Sequence, residues 1–295
     1  MDWVSRFRRT SDEPLEAPRT PEEVVLRLLA GNARFVCVAA PHVPAGSTVP
    51  PTAAAAPAPA APVPKQAPFC AVLGCSDARV PSELVFEAGP NELFVVRVAG
   101  NVLGDECLGS LEYALHNFRD SLRLLLVLGH TGCGAVTAAV DAYLNPTGRN
   151  STAFTRSLRA VVNHVLVAVR SGALSLEECW GAGVQSEPGY RDALIEISVY
   201  LNAAMTAYQL REEVRTSEES GTRTMFAVFD LATCQVIGPD LDPATDDTGK
   251  LSPAPADPDE LIALGHQVAA SPMVSRHLSD ALRATRYSAP GPANV

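Results

Sequence analysis

Leu122-Arg123-Leu124-Leu125-Leu126-Val127-Leu128, followed at once by Gly129-His130-Thr131-Gly132-Cys133-Gly134, is the stretch on which the fold turns. A run with one polar member shows no alternation, so the strand it forms must be covered on both faces. That excludes a half-solvated antiparallel sheet and predicts a strand with helices on either side. Upstream, Cys70-Ala71-Val72-Leu73-Gly74 and Leu93-Phe94-Val95-Val96-Arg97-Val98 read as further buried strands, and Met225 to Asp230 as a last one. Helical periodicity fills the intervals, over about 21–35, 104–118, 134–144, 152–171 and 188–214. Strands alternating with helices give an α/β fold with a mainly parallel β-sheet core flanked by helices.

The first helix carries its own start signal in Thr20-Pro21-Glu22-Glu23, with Thr20 as N-cap, Pro21 at the first helical position and Glu23 reaching back in a capping box. Residues 1–19 are polar and read as a flexible N-terminus. A Pro/Ala-rich stretch over about 39–64 offers little to bury and reads as a mobile insert. The folded body is expected to span 20–238. Pro239 to Asp259 then reads as an acidic, Pro-rich linker, and Glu260 to about Arg286 as one or two helices of a tail to which the sequence assigns no role.

Bulk properties exclude several classes of partner. The formal net charge is −10, from 23 basic and 33 acidic side chains, which argues against a nucleic-acid or anionic-membrane surface. No apolar run reaches the length of a membrane span, and the segment Met1 to Arg9 lacks the apolar core of a secretory signal. Seven scattered cysteines, at 37, 70, 75, 107, 133, 179 and 234, do not form a disulfide framework. A reducing cytoplasm is the expected location.

Three residues stand where strands run out: Cys75 in Gly74-Cys75-Ser76-Asp77-Ala78-Arg79, and His130 and Cys133 in the stretch quoted first. Loops at the carboxyl ends of parallel strands are where such sheets bind ligands. Two thiols and an imidazole suit borderline-soft Zn²⁺, and three protein ligands leave a fourth position open, as in catalytic sites. Asp77 and Arg79 follow the first thiol at two-residue spacing. Alone they would read as a loop salt bridge; beside metal ligands they read as a pair that serves the site. Gly132 and Gly134 let the backbone approach a small bound molecule. Cys37, Cys70, Cys107, Cys179 and Cys234 read as small buried hydrophobes.

The arrangement resembles the β-class carbonic anhydrases over about residues 20–238. The matching segments, in order, are Leu28-Leu29-Ala30-Gly31-Asn32-Ala33-Arg34-Phe35, Cys75-Ser76-Asp77-Ala78-Arg79-Val80-Pro81, Leu93 to Arg97 with Ala99-Gly100-Asn101, Ser110-Leu111-Glu112-Tyr113-Ala114, and Gly129 to Gly134. Val98 and Cys234 depart from the family pattern, which has asparagine and glycine there. The resemblance implies one Zn²⁺ per chain held by Cys75, His130 and Cys133, with Asp77 and Arg79 as the catalytic dyad. It places Gln66, Phe94 and Tyr113 at the substrate pocket. It also implies a homodimer or higher even oligomer with sites at the subunit interface.

The implied reaction is reversible hydration of CO₂ to bicarbonate and a proton, by attack of zinc hydroxide on CO₂. Asp77 would accept the nucleophile's hydrogen, and Arg79 would keep Asp77 ionised and off the metal. The Gly134 N–H and the Gln66 amide are candidate donors to substrate oxygens. Two thiolates offset the metal's charge, so a mildly alkaline optimum is expected. Hydrolysis of COS or CS₂ at the same site, and a non-catalytic zinc protein with Asp77 closing the metal, remain open alternatives. A redox role for Cys75 and Cys133 lacks the Cys-x-x-Cys spacing.

Overall fold

In the computed structural model of the chain, the described residues are 17–39, 65–148, 155–214, 221–239, 251–280 and 282–283. The expectations for 1–16, 40–64 and 240–250 lie outside them. The elements are α1 (Pro21–Ala39), β1 (Cys70–Cys75), α2 (Ser82–Val85), β2 (Leu93–Val98), α3 (Asp105–Asn117), β3 (Leu124–His130), α4 (Gly134–Leu144), α5 (Arg156–Trp180), α6 (Tyr190–Glu213), β4 (Arg223–Phe229), β5 (Val236–Ile237), β6 (Ser252–Pro253), α7 (Pro258–Ala270) and α8 (Pro272–Ser275).

The strand that decides the fold is β3, buried at every position. Its side chains divide between two cores, as absence of alternation requires. Leu124, Leu126 and Leu128 join Val72, Ala227 and Phe229 under Val24 and Leu28 of α1. Leu125 and Val127 join Leu73, Phe226 and Val228 beneath α4, α5 and α6. Each such leucine, fully withdrawn from water, contributes about 1.5–3 kcal/mol. The strand order is β2-β1-β3-β4-β5, with β6 also paired to β4. The β1–β2, β1–β3 and β3–β4 pairs are parallel; only β5 and β6 run antiparallel.

From β1 the chain passes to α2, whose Val85 lies in the α1-side core, whereas from β3 it passes to α4, whose Val136 and Ala139 lie in the other. The connections leaving two neighbouring strands thus diverge to opposite faces. The space between their carboxyl ends is the usual ligand position in such sheets.

Several elements differ from the sequence reading. β3 starts at Leu124, because Leu122 is taken into a helical turn through its N–H to Phe118 O, 2.7 Å. It runs on through His130, so that residue ends the strand instead of following it. The helix expected over 152–171 continues to Trp180. Gly172 does not stop it; a Cβ there would lie 3.0 Å from Ile197, so the glycine permits α6 to approach closely. Thr20 caps α1 as expected, accepting the Glu23 N–H at 3.2 Å, but the Glu23 carboxylate reaches the N–H of Arg19 rather than that of Thr20.

The largest difference concerns the expected linker and tail. Ser252–Pro253 pairs with Phe226 and Met225 on the edge of β4. Leu264, Val268, Ala269, Met273, Val274 and Leu278 enter the same core as α5 and α6. Trp180 Nε1 donates to Ala269 O at 2.9 Å, and Tyr200 Oη donates to the Met273 sulfur at 3.1 Å. Gly189 admits the backbone of His277, whose carbonyl oxygen would lie 1.7 Å from a Cβ at that position. Residues 251–278 are therefore part of the body.

Candidate metal centre

Cys75 and His130 are the last residues of two adjacent strands, and Cys133 precedes the first turn of α4. Parallel pairing alone brings the first two together. Gly132, at φ +65°, turns the chain back so that Cys133 joins them. All three are buried, and their ligand atoms lie within 4.8 Å of one another.

The donor set fits Zn²⁺. Sulfurs bound at about 2.3 Å in a tetrahedron stand about 3.8 Å apart, and Cys75 Sγ and Cys133 Sγ are separated by 3.9 Å. His130 Nδ1 lies 3.0 Å from Thr131 O. A carbonyl can only accept, so Nδ1 carries the proton and Nε2 keeps its lone pair. That Nε2 is buried with no hydrogen-bond partner among the described residues, a costly state unless something else satisfies it. The sulfurs ask for a cation too. The Cys133 thiol and the Gly100 N–H hold the Cys75 thiol well below its ordinary value, while the negative charge of Cys75 drives the Cys133 thiol up. Ionising the second sulfur as well would set two thiolates side by side, which requires a positive charge between them.

Asp77 is fixed beside this cluster. Arg79 donates to it bidentately, Nε to Oδ1 at 2.9 Å and Nη2 to Oδ2 at 2.7 Å, and the Arg79 N–H also reaches Oδ1 at 2.9 Å. These bonds hold the Asp77 carboxyl well below the usual carboxylate range. Asp77 Oδ2 lies 3.8 Å from His130 Nε2, and both carboxylate oxygens point to the arginine. Arg97 of β2 secures the loop from below, donating to Cys75 O at 2.9 Å and to Asp77 O. Gly134 opens onto free space: a Cβ there would meet nothing within 4 Å.

Cys75, Asp77, Arg79, His130, Cys133 and Gly134 are thus brought together. Gln66, Phe94 and Tyr113 are not. Phe94 pairs with Ala71, four residues below Cys75, about 13 Å along the strand. Tyr113 and Phe118 stack around it, at ring separations of 6.4 and 5.9 Å. Gln66 precedes β1 and is exposed, beyond the far end of a strand about 17 Å long.

Sequence reasoning missed three supports of the centre. The Gly100 N–H donates to Cys75 Sγ at 3.3 Å, and Asn202 of α6 fixes the Gly100 carbonyl at 2.8 Å. Asp230 accepts the Thr131 hydroxyl at 2.9 Å. Only Gly100 carried a signal, as the central residue of Ala99-Gly100-Asn101 beside a strand end.

The family model described as carbonic anhydrase matches residues 70–236. The carbonic anhydrase of Mycolicibacterium smegmatis is 37% identical over 114 residues, covering 38% of this chain and 53% of its own length. Carbonic anhydrase 2 of Mycobacterium tuberculosis is 46% identical over 77 residues, 26% of this chain and 36% of its own. The chain thus spans about half or less of the curated relatives it matches. Among solved structures, a tetrameric β-carbonic anhydrase of Sordaria macrospora aligns at 20% identity and a TM-score of 0.47, covering 59% of this chain and 81% of that one.

Proposed function

The chain belongs to the carbonic anhydrase family, in its β class, and from that we propose that it catalyses reversible hydration of CO₂ to bicarbonate and a proton. One observation carries the reading: three buried ligand atoms within 4.8 Å of one another, beside an aspartate held off them by a bidentate arginine. Cys75, His130 and Cys133 would hold Zn²⁺. When bound, it would supply the Lewis acidity that makes water a nucleophile near neutral pH, the standard example being carbonic anhydrase with three histidine ligands.

The chain's own residues do the rest. Asp77 Oδ2, 3.8 Å from His130 Nε2 and part-exposed, would accept a hydrogen from the attacking water and aim its oxygen at the CO₂ carbon. Arg79 keeps both Asp77 oxygens occupied, so the carboxylate orients the nucleophile and does not ligate. Gly134 is exposed at the first position of α4, the positive end of that helix, and its N–H would donate to a substrate oxygen.

We propose further that the working form is a homodimer or higher even oligomer. β2 lies at the edge of the sheet with its side chains half-buried. Tyr113 is 55% exposed beside Phe94. Gln66, Phe94 and Tyr113, remote from the cluster of their own chain, can line a substrate pocket only in a second copy. Among the described residues no helix is long and apolar enough to cross a membrane. From the net charge of −10 we propose a cytoplasmic enzyme without a nucleic-acid or anionic-membrane surface.

The test is stopped-flow CO₂ hydration by zinc-quantified protein from neutral to alkaline pH. Fast turnover rising with pH is expected. Full zinc occupancy without turnover at any pH would refute CO₂ as substrate and turn attention to COS and CS₂.

A further inference from the structure

We propose that Asp230, a hundred residues downstream of the metal loop, is a positioning residue for the metal centre, acting through Thr131 on the imidazole of His130. The inference rests on the reading of Cys75, His130 and Cys133 as zinc ligands.

The hydrogen bond that orients the His130 ring runs to Thr131. The ring's Nδ1–H donates to Thr131 O, which selects the tautomer and points Nε2 at the two sulfurs. Metal-binding histidines are commonly fixed through their second nitrogen in this way. A carbonyl orients a ring only as well as its own peptide is held, and Thr131 is held by three bonds, all from the end of β4. Its N–H donates to Phe229 O at 3.0 Å. Its hydroxyl donates to Asp230 Oδ1 at 2.9 Å and accepts the Leu231 N–H at 3.0 Å. The hydroxyl's single proton is thereby committed to the carboxylate.

Both oxygens of Asp230 are in use. Oδ1 accepts from Thr131 and from the Ala232 N–H at 3.3 Å, and Oδ2 accepts the Thr233 N–H at 3.2 Å and the Thr233 hydroxyl at 2.8 Å. An amide at this position has one accepting oxygen, so it must give up either the metal loop or the turn. The loop also touches the dyad, since Arg79 Nη2 donates to Gly132 O at 3.4 Å. A shift of the 131–132 segment would move the imidazole and loosen the arginine together.

The test measures zinc dissociation constants by chelator competition on the full chain, with Thr131→Val, Thr131→Ser and Asp230→Asn beside wild type. Visible spectra of the Co²⁺-loaded proteins are taken in parallel. Thr131→Val keeps the branched shape and removes the hydroxyl; it should weaken zinc binding about 10–100-fold, as should Asp230→Asn. Thr131→Ser restores the hydroxyl and should bind within about threefold of wild type, with an unshifted Co²⁺ spectrum. A Thr131→Val protein with wild-type circular dichroism, wild-type zinc affinity and an unchanged Co²⁺ spectrum would overturn the proposal and leave the zinc reading standing. Failure of the wild-type chain to bind zinc stoichiometrically would overturn both.

Discussion

Gly31 lies inside α1, where helix propensity alone makes alanine better by about 1 kcal/mol. The structure predicts the opposite sign. A Cβ at position 31 would stand 1.9 Å from the carbonyl oxygen of Phe86 and 2.6 Å from its carbon. Non-bonded heavy atoms settle at about 3.5 Å, so α1 and the Phe86 turn must part by roughly 1.6 Å. Neither neighbour is a flexible side-chain end that can swing aside. The next residue, Asn32, is 4% exposed and donates to Val85 O and Cys234 O, both at 3.1 Å, while its Oδ1 accepts the Val236 N–H at 2.8 Å. A shift of that size stretches all three, at about 1 kcal/mol each. Overpacking adds about 1–3 kcal/mol. Set against the propensity gain, Gly31→Ala should destabilise by about 3–5 kcal/mol. Urea unfolding at one fixed protomer concentration, followed by far-UV circular dichroism, measures it. A midpoint at or above wild type would refute the close approach of α1 to Phe86.

Asp77→Asn should retain stoichiometric zinc and lose at least about a hundredfold in CO₂ turnover, the usual scale for a positioned proton acceptor; undiminished turnover would remove Asp77 from the reaction. Glu196, buried on α6, has Oε2 3.4 Å from Arg276 and 3.9 Å from His277, with Oε1 unpartnered among the described residues. Burial pushes its carboxyl up from the ordinary value, against the pull of Arg276 and helped by Asp230. A raised acid favours folding below its unfolded pKa, and that contribution is lost as pH rises through the folded one. Glu196→Gln should therefore gain stability relative to wild type between pH 4.5 and 7.5, read as the difference in thermal midpoints; a difference that falls over that range would contradict the burial argument. A chain ending at Lys250 loses β6, α7 and α8, exposing the β4 edge, Trp180 and the core surface under Val268. It should be insoluble or unfold at markedly lower temperature, and a soluble product with the full-length midpoint would show the tail to be an accessory.

Legibility in the sequence followed the range of the interactions concerned. The two-sided burial of Leu124 to Leu128 is local: each residue reports its own face, and the run showed it without help from the rest of the chain. The meeting of Cys75 and His130 was legible one step later, because parallel strands in one sheet must bring their carboxyl ends together. Cys234 could be read as standing where the family has glycine, and its φ of +60° shows why that position favours one. A glycine that ends a helix and one that lets another helix approach, as Gly172 does for α6, are the same letter.

The segment from 251 onward was misread for a deeper reason. Two residues of strand have no period to detect, and the acidic, Pro-rich composition before them describes solvated chain equally well. What fixes Ser252–Pro253 is the unpaired edge of β4, and what fixes α7 is the surface around Trp180, neither visible from the segment itself. Asp230 is the extreme case: its bond to Thr131 crosses 99 positions, and no pattern near either residue announces it. The ligands of a metal could be found by their chemistry, but the groups that aim them are found only where the fold has brought two distant turns side by side.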